Sequence, residues 1–294
     1  MLEWTAVDSQ ENLKVWALPS RLYETNSGIF TSDGQAVLVD PGIFPDEIEV
    51  ILSLAAREKL AIRAILLTHS HWDHILGPER MADIPIIAQA SFSKTAAGHK
   101  ETILEAIYGW ENEHRLSRPR RFMIPEPDLR FEKDLEFNLG SATLRFLAAP
   151  GHWSDQCIVY NPASRVLWAA DMLSDIEIPL VSHSLPAYRE TLEWIAQLEI
   201  EVLIPGHGHP TTDRKEIQAR LSGDRKYLEK LDNKVRQAIA DGKSLRVTVR
   251  EGMRITYRQE KQNAEYHRLN IESAFLAAGG DPGEVTVTGW GKAA

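Results

Sequence analysis

The chain has 294 residues, enough for one large domain or for one domain with a small appendage. Its 43% hydrophobic and 26% charged residues are typical of an ordinary globular protein, and no stretch reaches the roughly 20 apolar residues that a membrane-spanning helix needs. The net charge of −9 argues against a general nucleic-acid binder, so we expect neither nucleic acid nor a membrane as a partner.

The cellular compartment is indicated by the cysteine count and the first residues. A single cysteine, Cys157, excludes an intramolecular disulfide. The first ten residues have neither a basic start nor a continuous apolar run, so they do not resemble a signal peptide. A reducing setting fits both features, and we expect a cytoplasmic protein.

Short β-type runs alternate with helical segments over the first 212 residues. Each run is rich in Val, Ile, Leu or Trp and ends near Pro, Gly, Asn or Asp, which predicts a strand. The predicted strands are Leu13–Leu18, Gln35–Asp40, Ile62–Thr68, Ile84–Ala88, Ala142–Ala148, Gln156–Tyr160, Arg165–Ala170 and Glu201–Ile204. Helices are predicted over Pro45–Lys59 and Pro186–Leu198, because each segment has a proline at or near its first turn.

An insertion over residues 91–127 interrupts this alternation. Its first part, Ser91–Glu113, is predicted to be one helix, and a basic loop follows it. We expect the insertion and the loop Leu173–Pro186 to overhang a functional site. The candidate substrate contacts in these segments are His99, Tyr108, Trp110, Arg118, Arg120, Arg121, Glu177 and His183.

The character of the sequence changes after Pro210. Apolar residues recur at helical spacing from Ile217 to Ile239, which predicts a long amphipathic helix, and a second helix is predicted over Gln262–Ala278. We therefore divide the chain into residues 1–212 and a mainly helical module, residues 213–294, that packs on them.

Residues 213–268 carry more basic than acidic side chains, although the whole chain is acidic. One explanation is a solvated helical face. The other is a surface for an anionic substrate or partner, and both stay open.

A dense cluster of metal-binding side chains follows the predicted strand Ile62–Thr68. The segment Thr68-His69-Ser70-His71-Trp72-Asp73-His74 places three histidines and one carboxylate within six positions. Zinc binds imidazole nitrogen and carboxylate oxygen readily. His69 and His71 can point to one side and share a metal ion, and Asp73 and His74 can turn toward a second one. The cluster therefore predicts a metal site.

Three further candidate ligands stand where later predicted strands end. His152 follows the strand that ends at Ala148, Asp171 directly follows Ala170, and His207 lies in Pro205-Gly206-His207-Gly208. In layered α/β folds, functional side chains gather in the loops at strand ends. We therefore expect these three residues to complete one site with the cluster.

The order H-x-H-x-D-H, Gly-His, strand-ending Asp and Pro-Gly-His-Gly resembles the metallo-β-lactamase superfamily over roughly residues 13–210. The resemblance implies an α/β fold, an αββα sandwich with the site along one edge, here with the helical module appended. It implies that the first metal ion is bound by His69, His71 and His152, and the second by Asp73, His74 and His207, with Asp171 bridging both.

Asp40, at the end of an early strand, matches an aspartate of the same family. The resemblance implies that it accepts a hydrogen bond from a ligand histidine and fixes the orientation of that ring. From the local sequence alone, an aspartate that opens a turn before Pro41-Gly42 is equally natural.

Such a site has a well-defined chemistry. Two metal ions about 3.5–4 Å apart can hold a water between them and lower its pKa toward about 7, which supplies a bridging hydroxide as nucleophile. We expect two Zn²⁺ ions per chain, with iron or manganese as alternatives, and Asp73 as the residue that protonates the leaving group. The chain is thus predicted to be a metal-dependent hydrolase of a small molecule.

Differences from known branches of the family limit the type of bond that the chain is expected to cleave. True β-lactamases of this fold have Cys or Ser at the position of Asp171, and the related lactonases have a tyrosine at the position of Ser174. Glyoxalase II-like thioesterases usually have a threonine at the position of Trp153. The ligand set and the helical appendage remain closest to the glyoxalase II-like group, so we favour an ester, thioester or lactone bond.

Three alternatives stay open at this point. The basic segment 213–268 would suit a phosphodiesterase or ribonuclease. A relative with a single iron ion could oxidise persulfides with a subset of these ligands. A metal-stabilised scaffold that only binds a partner is disfavoured because the ligand set is complete. The oligomeric state, including a homo-oligomer, is also open.

Overall fold

The computed structural model describes residues 5–8, 12–258 and 263–281, and these ranges contain twelve β-strands and seven α-helices. The strands are β1 (Thr5–Asp8), β2 (Lys14–Pro19), β3 (Asn26–Ser32), β4 (Gln35–Val39), β5 (Ala61–Leu66), β6 (Ile86–Gln89), β7 (Leu129–Phe131), β8 (Asp134–Leu139), β9 (Ala142–Ala148), β10 (Cys157–Asn161), β11 (Val166–Trp168) and β12 (Val202–Ile204). The helices are α1 (Pro45–Arg57), α2 (Phe92–Gly98), α3 (Lys100–Glu113), α4 (Leu185–Ile195), α5 (Arg214–Ala240), α6 (Leu245–Gly252) and α7 (Ala264–Ala277).

The strands form two sheets. In the first, β1 to β7 follow one another in chain order, antiparallel as far as β4 and parallel from β4 to β7. The second has the order β12-β11-β10-β9-β8, in which β11 and β12 run parallel and the other pairs antiparallel.

The inner faces of the two sheets pack against each other. Phe30 of the first sheet meets Trp168 of the second edge-on, with ring centroids 6.1 Å apart. Gly28 leaves room for this contact, because a Cβ at that position would collide with the Trp168 ring. Removing these apolar faces from water is the main force that holds the two sheets together.

Helices cover the outer face of each sheet. Side chains of α1, α2 and α3 pack on the first sheet, and those of α4, α5 and α7 pack on the second. The αββα sandwich predicted from the sequence is therefore confirmed. None of the helices in the described ranges is long and apolar enough to cross a membrane.

Most predicted elements are present, but one prediction was wrong. Ser91–Glu113 is not a single helix: α2 and α3 are separated at His99, whose φ of −112° and ψ of 14° leave the helical region. Strand β3 was missed because its sequence, NSGIFTS, is half polar. Pairing with β2 and β4 makes it a strand that is buried along its whole length.

The C-terminal region folds as an amphipathic layer. The apolar stripe predicted from Ile217 to Ile239 lies on α5, where Leu221, Leu228 and Leu231 are buried in one core with α4 and α7. Helix α7 corresponds to the second predicted helix, whose first residue, Gln262, lies outside the described residues. A domain boundary after residue 212 stays a prediction.

Candidate metal centre

All seven predicted ligands meet at one edge of the sandwich, where the strands that precede them end. They form two groups of candidate metal ligands in which the ligand atoms lie within 4.8 Å of one another. The first group is His69, His71, His152 and Asp171, and the second is Asp73, His74 and His207. The structure thus brings together both sets that the sequence predicted.

Asp171 lies between the two groups. Its Oδ2 atom is 3.5 Å from Nε2 of His69, 3.3 Å from Nε2 of His152 and 3.4 Å from Nε2 of His207. Its Oδ1 atom is 3.2 Å from Nε2 of His74. One carboxylate therefore faces histidines of both groups.

The backbone around Asp171 is shaped for this approach. Ala170 has a φ of 48°, a left-handed conformation that costs a non-glycine residue about 1–2 kcal/mol. The chain turns there, and the Gly206 amide donates to the Ala170 carbonyl at 2.5 Å. A Cβ at Gly206 would collide with the Asp171 carboxylate, so the Pro-Gly-His-Gly loop needs a glycine at this point.

Asp40 lies behind the centre and organises two of the histidines. Nδ1 of His74 donates to its Oδ2 atom at 2.9 Å. The amide and the hydroxyl of Thr68 donate to the same carboxylate at 2.8 and 2.6 Å. Because the Thr68 hydroxyl has used its hydrogen, Nδ1 of His69 donates to Thr68 Oγ1 at 3.0 Å. Both histidines therefore turn Nε2 toward Asp171. Thr68 was missed from the sequence, although it directly precedes the cluster.

Main-chain carbonyls orient two more histidines. Nδ1 of His152 donates to the Leu180 carbonyl at 2.9 Å, and Nδ1 of His207 donates to the Tyr23 carbonyl at 3.1 Å. A carbonyl can only accept, so Nδ1 carries a proton in both rings, and Nε2 is the nitrogen left to face a metal ion.

The electrostatics of the centre are those of histidines and carboxylates buried together. Burial lowers the pKa of His69 to about 4 and also lowers that of His71. At His207, burial is outweighed by the carboxylates of Glu177 and Asp171, which raise the pKa to about 10. The histidines in turn outweigh burial at Asp171 and hold its pKa well below its ordinary range. The carboxylates thus favour positive charge between these side chains.

The residues present fit divalent metal ions. Nε2 of His69, Nε2 of His74 and Oδ1 of Asp171 are buried and make no hydrogen bond within the described ranges. Each such atom costs about 1–3 kcal/mol when nothing compensates its lost hydration. The donor set is nitrogen and oxygen, as zinc accepts. Cys157 stands apart from it, since its thiol donates to the Leu67 carbonyl.

The mouth of the centre, its solvent-facing side beside Tyr23 and Trp72, is partly aromatic. Tyr23 meets Trp72 edge-on, with centroids 6.5 Å apart. Burial, followed by the charges of Glu177 and Asp73, raises the pKa of Tyr266 on α7. The C-terminal region reaches the edge of the site through Arg258, whose guanidinium donates to the Glu177 carbonyl at 3.2 Å.

Three of the predicted substrate contacts have defined partners in the structure. Glu177 is beside the centre, with Oε1 3.9 Å from Nδ1 of His207. Trp110 is buried against Trp72, with centroids 5.7 Å apart, and Arg118 forms ion pairs with Glu79 and Glu111. The aromatic residues Tyr23 and Trp72 were not predicted to be part of the site.

Comparison with known proteins agrees with this geometry. The sequence matches the family model of the metallo-beta-lactamase superfamily over residues 21–207. A linear primary-alkylsulfatase of Pseudomonas sp. is 25% identical over 63% of this chain, which spans only 42% of that relative. A hydroxyacylglutathione hydrolase of Bartonella henselae is 25% identical over 83% of this chain and 84% of the relative.

Solved structures show the same fold. A metallo-beta-lactamase family protein of Thermus thermophilus superposes with a TM-score of 0.64 at 20% identity, over 90% of this chain and 93% of that one. The sec-alkylsulfatase Pisa1 of Pseudomonas sp. superposes with a TM-score of 0.66 at 16% identity, over 96% of this chain and 50% of that one.

The sequence match covers more than half of the chain and includes every predicted ligand. Its relatives include hydrolases of more than one bond type, and its His and Asp groups can hold metal ions. The chain therefore belongs to the metallo-β-lactamase superfamily and is a metal-dependent hydrolase.

Proposed function

We propose that the chain is a dinuclear zinc hydrolase that cleaves an ester, thioester or lactone bond of a small molecule in the cytoplasm. The observation that carries the proposal is the position of Asp171, whose two oxygens lie 3.2–3.5 Å from histidines of both ligand groups. One carboxylate between two sets of buried donors is what a pair of neighbouring cations needs.

The proposal assigns every donor. His69, His71 and His152 would hold the first ion, Asp73, His74 and His207 would hold the second, and Asp171 would bridge them. When bound, two zinc ions activate a water molecule as the nucleophile and polarise the bond under attack. Asp40 and Thr68 keep Nε2 of His74 and His69 turned toward the ions through the hydrogen bonds already described.

Asp73 is the proposed proton carrier. Its Oδ2 atom lies 3.4 Å from Nε2 of His207 and 3.6 Å from Nε2 of His74, and about a tenth of its side chain is exposed. We take Asp73 to stand at the boundary between the buried donors and solvent. A carboxylate at that boundary can hand a proton to a leaving group and regain one from solvent.

A thioester is the bond we favour. The hydroxyacylglutathione hydrolase matches most of both chains, and an atrochrysone carboxyl ACP thioesterase of Aspergillus fumigatus is 25% identical over 72% of this chain. The aromatic side chains at the mouth would suit the apolar part of an acyl group. A sulfate ester is the second candidate, because the alkylsulfatase relative is equally identical over 63% of the chain.

Metal analysis and a substrate screen test the proposal together. We expect close to two zinc ions per chain, and hydrolysis of an acyl thioester well above that of an alkyl sulfate, a phosphodiester or a persulfide of similar chain length. Asp73→Asn should abolish turnover while the exposed-site control Asp46→Asn should not. One metal ion per chain would contradict the dinuclear assignment, and preferred cleavage of the sulfate ester would replace the thioester with the second candidate.

A further inference from the structure

The loop that follows Asp171, residues 173–181, is held by the C-terminal region. Four side chains from that region donate hydrogen bonds to its main-chain carbonyls: Arg220 to Leu173 (3.3 Å), Asn263 to Ile176 (2.8 Å), Arg258 to Glu177 (3.2 Å) and Asn270 to Pro179 (2.7 Å). Main-chain carbonyls that are shielded from water need such partners, so the C-terminal region completes the hydrogen bonding of the loop.

Asn270 on α7 differs from the other three because it both donates to and accepts from the main chain of the loop. Its Nδ2 atom donates to the Pro179 carbonyl at 2.7 Å, and its Oδ1 atom accepts from the Val181 amide at 2.7 Å. These two groups flank Leu180, whose carbonyl accepts the hydrogen bond from Nδ1 of His152. The two bonds together fix the orientation of the peptide groups around Leu180.

The Asn270 amide is itself held in one orientation. The residue is fully buried, and Nδ2 also donates to the Tyr227 hydroxyl at 2.8 Å, which is 2.8 Å from Nδ1 of His267. A buried amide that lost these partners would pay a desolvation cost of a few kcal/mol. Rotation of the amide would break three hydrogen bonds at once, so the contact to the loop is rigid.

The opposite side of the segment is fixed to His152 by its main chain. The Ser182 amide donates to the His152 carbonyl at 3.2 Å. The residues from Pro179 to Ser182 thus lie between α7 and His152 and touch both. A change at Asn270 therefore reaches the His152 ring through a single peptide segment.

We propose that Asn270 is a positioning residue for His152. It holds the Leu180 carbonyl where it keeps the proton on Nδ1 of His152, so that Nε2 faces Asp171 at 3.3 Å. Without this hold, Nδ1 of His152 loses the acceptor that fixes its proton, and only the contacts of Nε2 to Asp171 and His71 still orient the ring. The proposal rests on the proposed function only in taking His152 as a metal ligand.

The first measurement does not involve a metal ion. Long-range ¹H–¹⁵N spectra of histidine-labelled, metal-free protein report which nitrogen of each ring carries the proton. We expect Asn270→Ala to lose the protected Nδ1 proton of His152 and to keep that of His74, which Asp40 holds independently. Tyr227→Phe is the matched control, because it removes a hydrogen bond of the same buried network but leaves both contacts between Asn270 and the loop.

The second measurement is metal affinity, determined by competition with a chromophoric chelator. Loss of a residue that holds a metal ligand typically lowers metal affinity by about 10–100-fold, so Asn270→Ala should weaken the binding of one of the two zinc ions by that factor. Tyr227→Phe should weaken the binding of neither ion by more than twofold. If Asn270→Ala does not fold, Asn270→Leu carries the same test, since it nearly fills the volume of the asparagine side chain and loses both hydrogen bonds to the loop.

The two measurements separate this proposal from the proposed function. An unchanged His152 signal in Asn270→Ala, or a loss of the same size in Tyr227→Phe, would overturn the positioning role whatever the metal content. If the wild-type protein binds no metal ion but Asn270→Ala still shows the selective loss of the His152 signal, the proposed function is contradicted and the positioning of the ring is supported.

Discussion

At the scale of the residue, the centre depends on groups outside it that hold the Nδ1 atoms of the ligand histidines. Asp40 and Thr68 hold His74 and His69, and the Tyr23 carbonyl holds His207. Each outer hydrogen bond fixes the tautomer of its ring, so Nε2 is left to face Asp171. The donor geometry is thus set before any ion binds, which reduces the ordering that metal binding requires.

Asp171→Ala should have the largest effect of any ligand change. In the proposed dinuclear centre, its removal would leave two cations facing each other without a shared anion, so we expect one zinc ion to be lost and turnover to fall by about a thousandfold or more, some 4 kcal/mol. Zinc analysis and steady-state kinetics check this. Asp134→Ala, which removes a surface carboxylate paired with Arg145, is the control. Two retained ions with near-normal turnover would show that Asp171 is not a bridge.

Asp40→Ala should weaken metal binding without removing a ligand. The substitution leaves Nδ1 of His74 and the hydroxyl of Thr68 without their buried acceptor. Because Thr68 in turn orients His69, the rings of His74 and His69 can both reorient. We expect about 10–100-fold weaker zinc affinity. Thr68→Val should cause a smaller loss, because it frees the His69 ring but leaves the hydrogen bond between His74 and Asp40 in place. Chelator competition is the measurement. Equal affinities in wild type and Asp40→Ala would reduce Asp40 to a turn residue.

At the scale of the element, the C-terminal helices and the loop after Asp171 form one hydrogen-bonded unit. Asp224 of α5 is central to it, because it accepts from the Tyr257 hydroxyl at 2.6 Å and from Arg258 at 3.0 Å, and Arg258 also donates to the Glu177 carbonyl. Burial raises the pKa of Asp224 to about 6, even though Arg258 and Tyr257 act in the opposite direction.

This shift predicts a pH dependence with a defined sign. The folded state holds the Asp224 proton up to about pH 6, while the unfolded chain releases it near its ordinary value of 3.8. The folded state therefore binds more protons in this window, and the free energy of unfolding falls as the pH rises through it. Each unit of pKa shift corresponds to about 1.4 kcal/mol, so the total is a few kcal/mol.

Urea unfolding of wild type and Asp224→Asn between pH 4 and 7 isolates this contribution. The variant keeps a neutral side chain at every pH, and other titrating groups cancel in the difference between the two proteins. We expect the stability of wild type relative to the variant to decrease as the pH rises, and to level off above about pH 6. A difference that is constant with pH would mean that Asp224 does not titrate in this window.

At the scale of the whole molecule, the helical region is part of the second half of the sandwich. The apolar side of α5 shares one core with α4 and with side chains of the second sheet, and α7 supplies the contacts to the loop beside the centre. We expect that about eighty residues of this kind do not make a sufficient core alone. The region therefore completes the fold around the centre.

Truncation after residue 212 should accordingly impair both folding and catalysis. It would expose the apolar surface that α5 covers and would remove the four side chains that donate hydrogen bonds from the C-terminal region to the loop at residues 173–181. We predict a poorly soluble protein with strongly reduced turnover, measured by sedimentation and by kinetics on the soluble fraction. Leu228→Ala in the full chain should lower the free energy of unfolding by about 2–5 kcal/mol but keeps the side chains that contact the loop. It therefore separates the effect of lost stability from the effect of lost contacts to the loop. A soluble and fully active truncated enzyme would refute this prediction.

The sequence by itself determined the family, the sandwich and the seven residues that meet at the centre. This was feasible because the ligands occur in short, dense motifs at strand ends, and because apolar runs of defined length specify the layers. The apolar stripe on α5 could also be predicted, since helical spacing is a local property of the chain.

Only the tertiary structure decided which groups support those ligands. Strand β3 has a half-polar sequence, and its burial comes from pairing with strands on both sides. Thr68, the Tyr23 carbonyl and Asn270 act through contacts whose partners lie far apart in the chain or consist of main-chain atoms. Asn270 follows the Val181 amide by 89 positions, and no local pattern records such a pair. A hydrogen bond is set by distance and direction in space, and these exist only once the two sheets and the outer helices have packed.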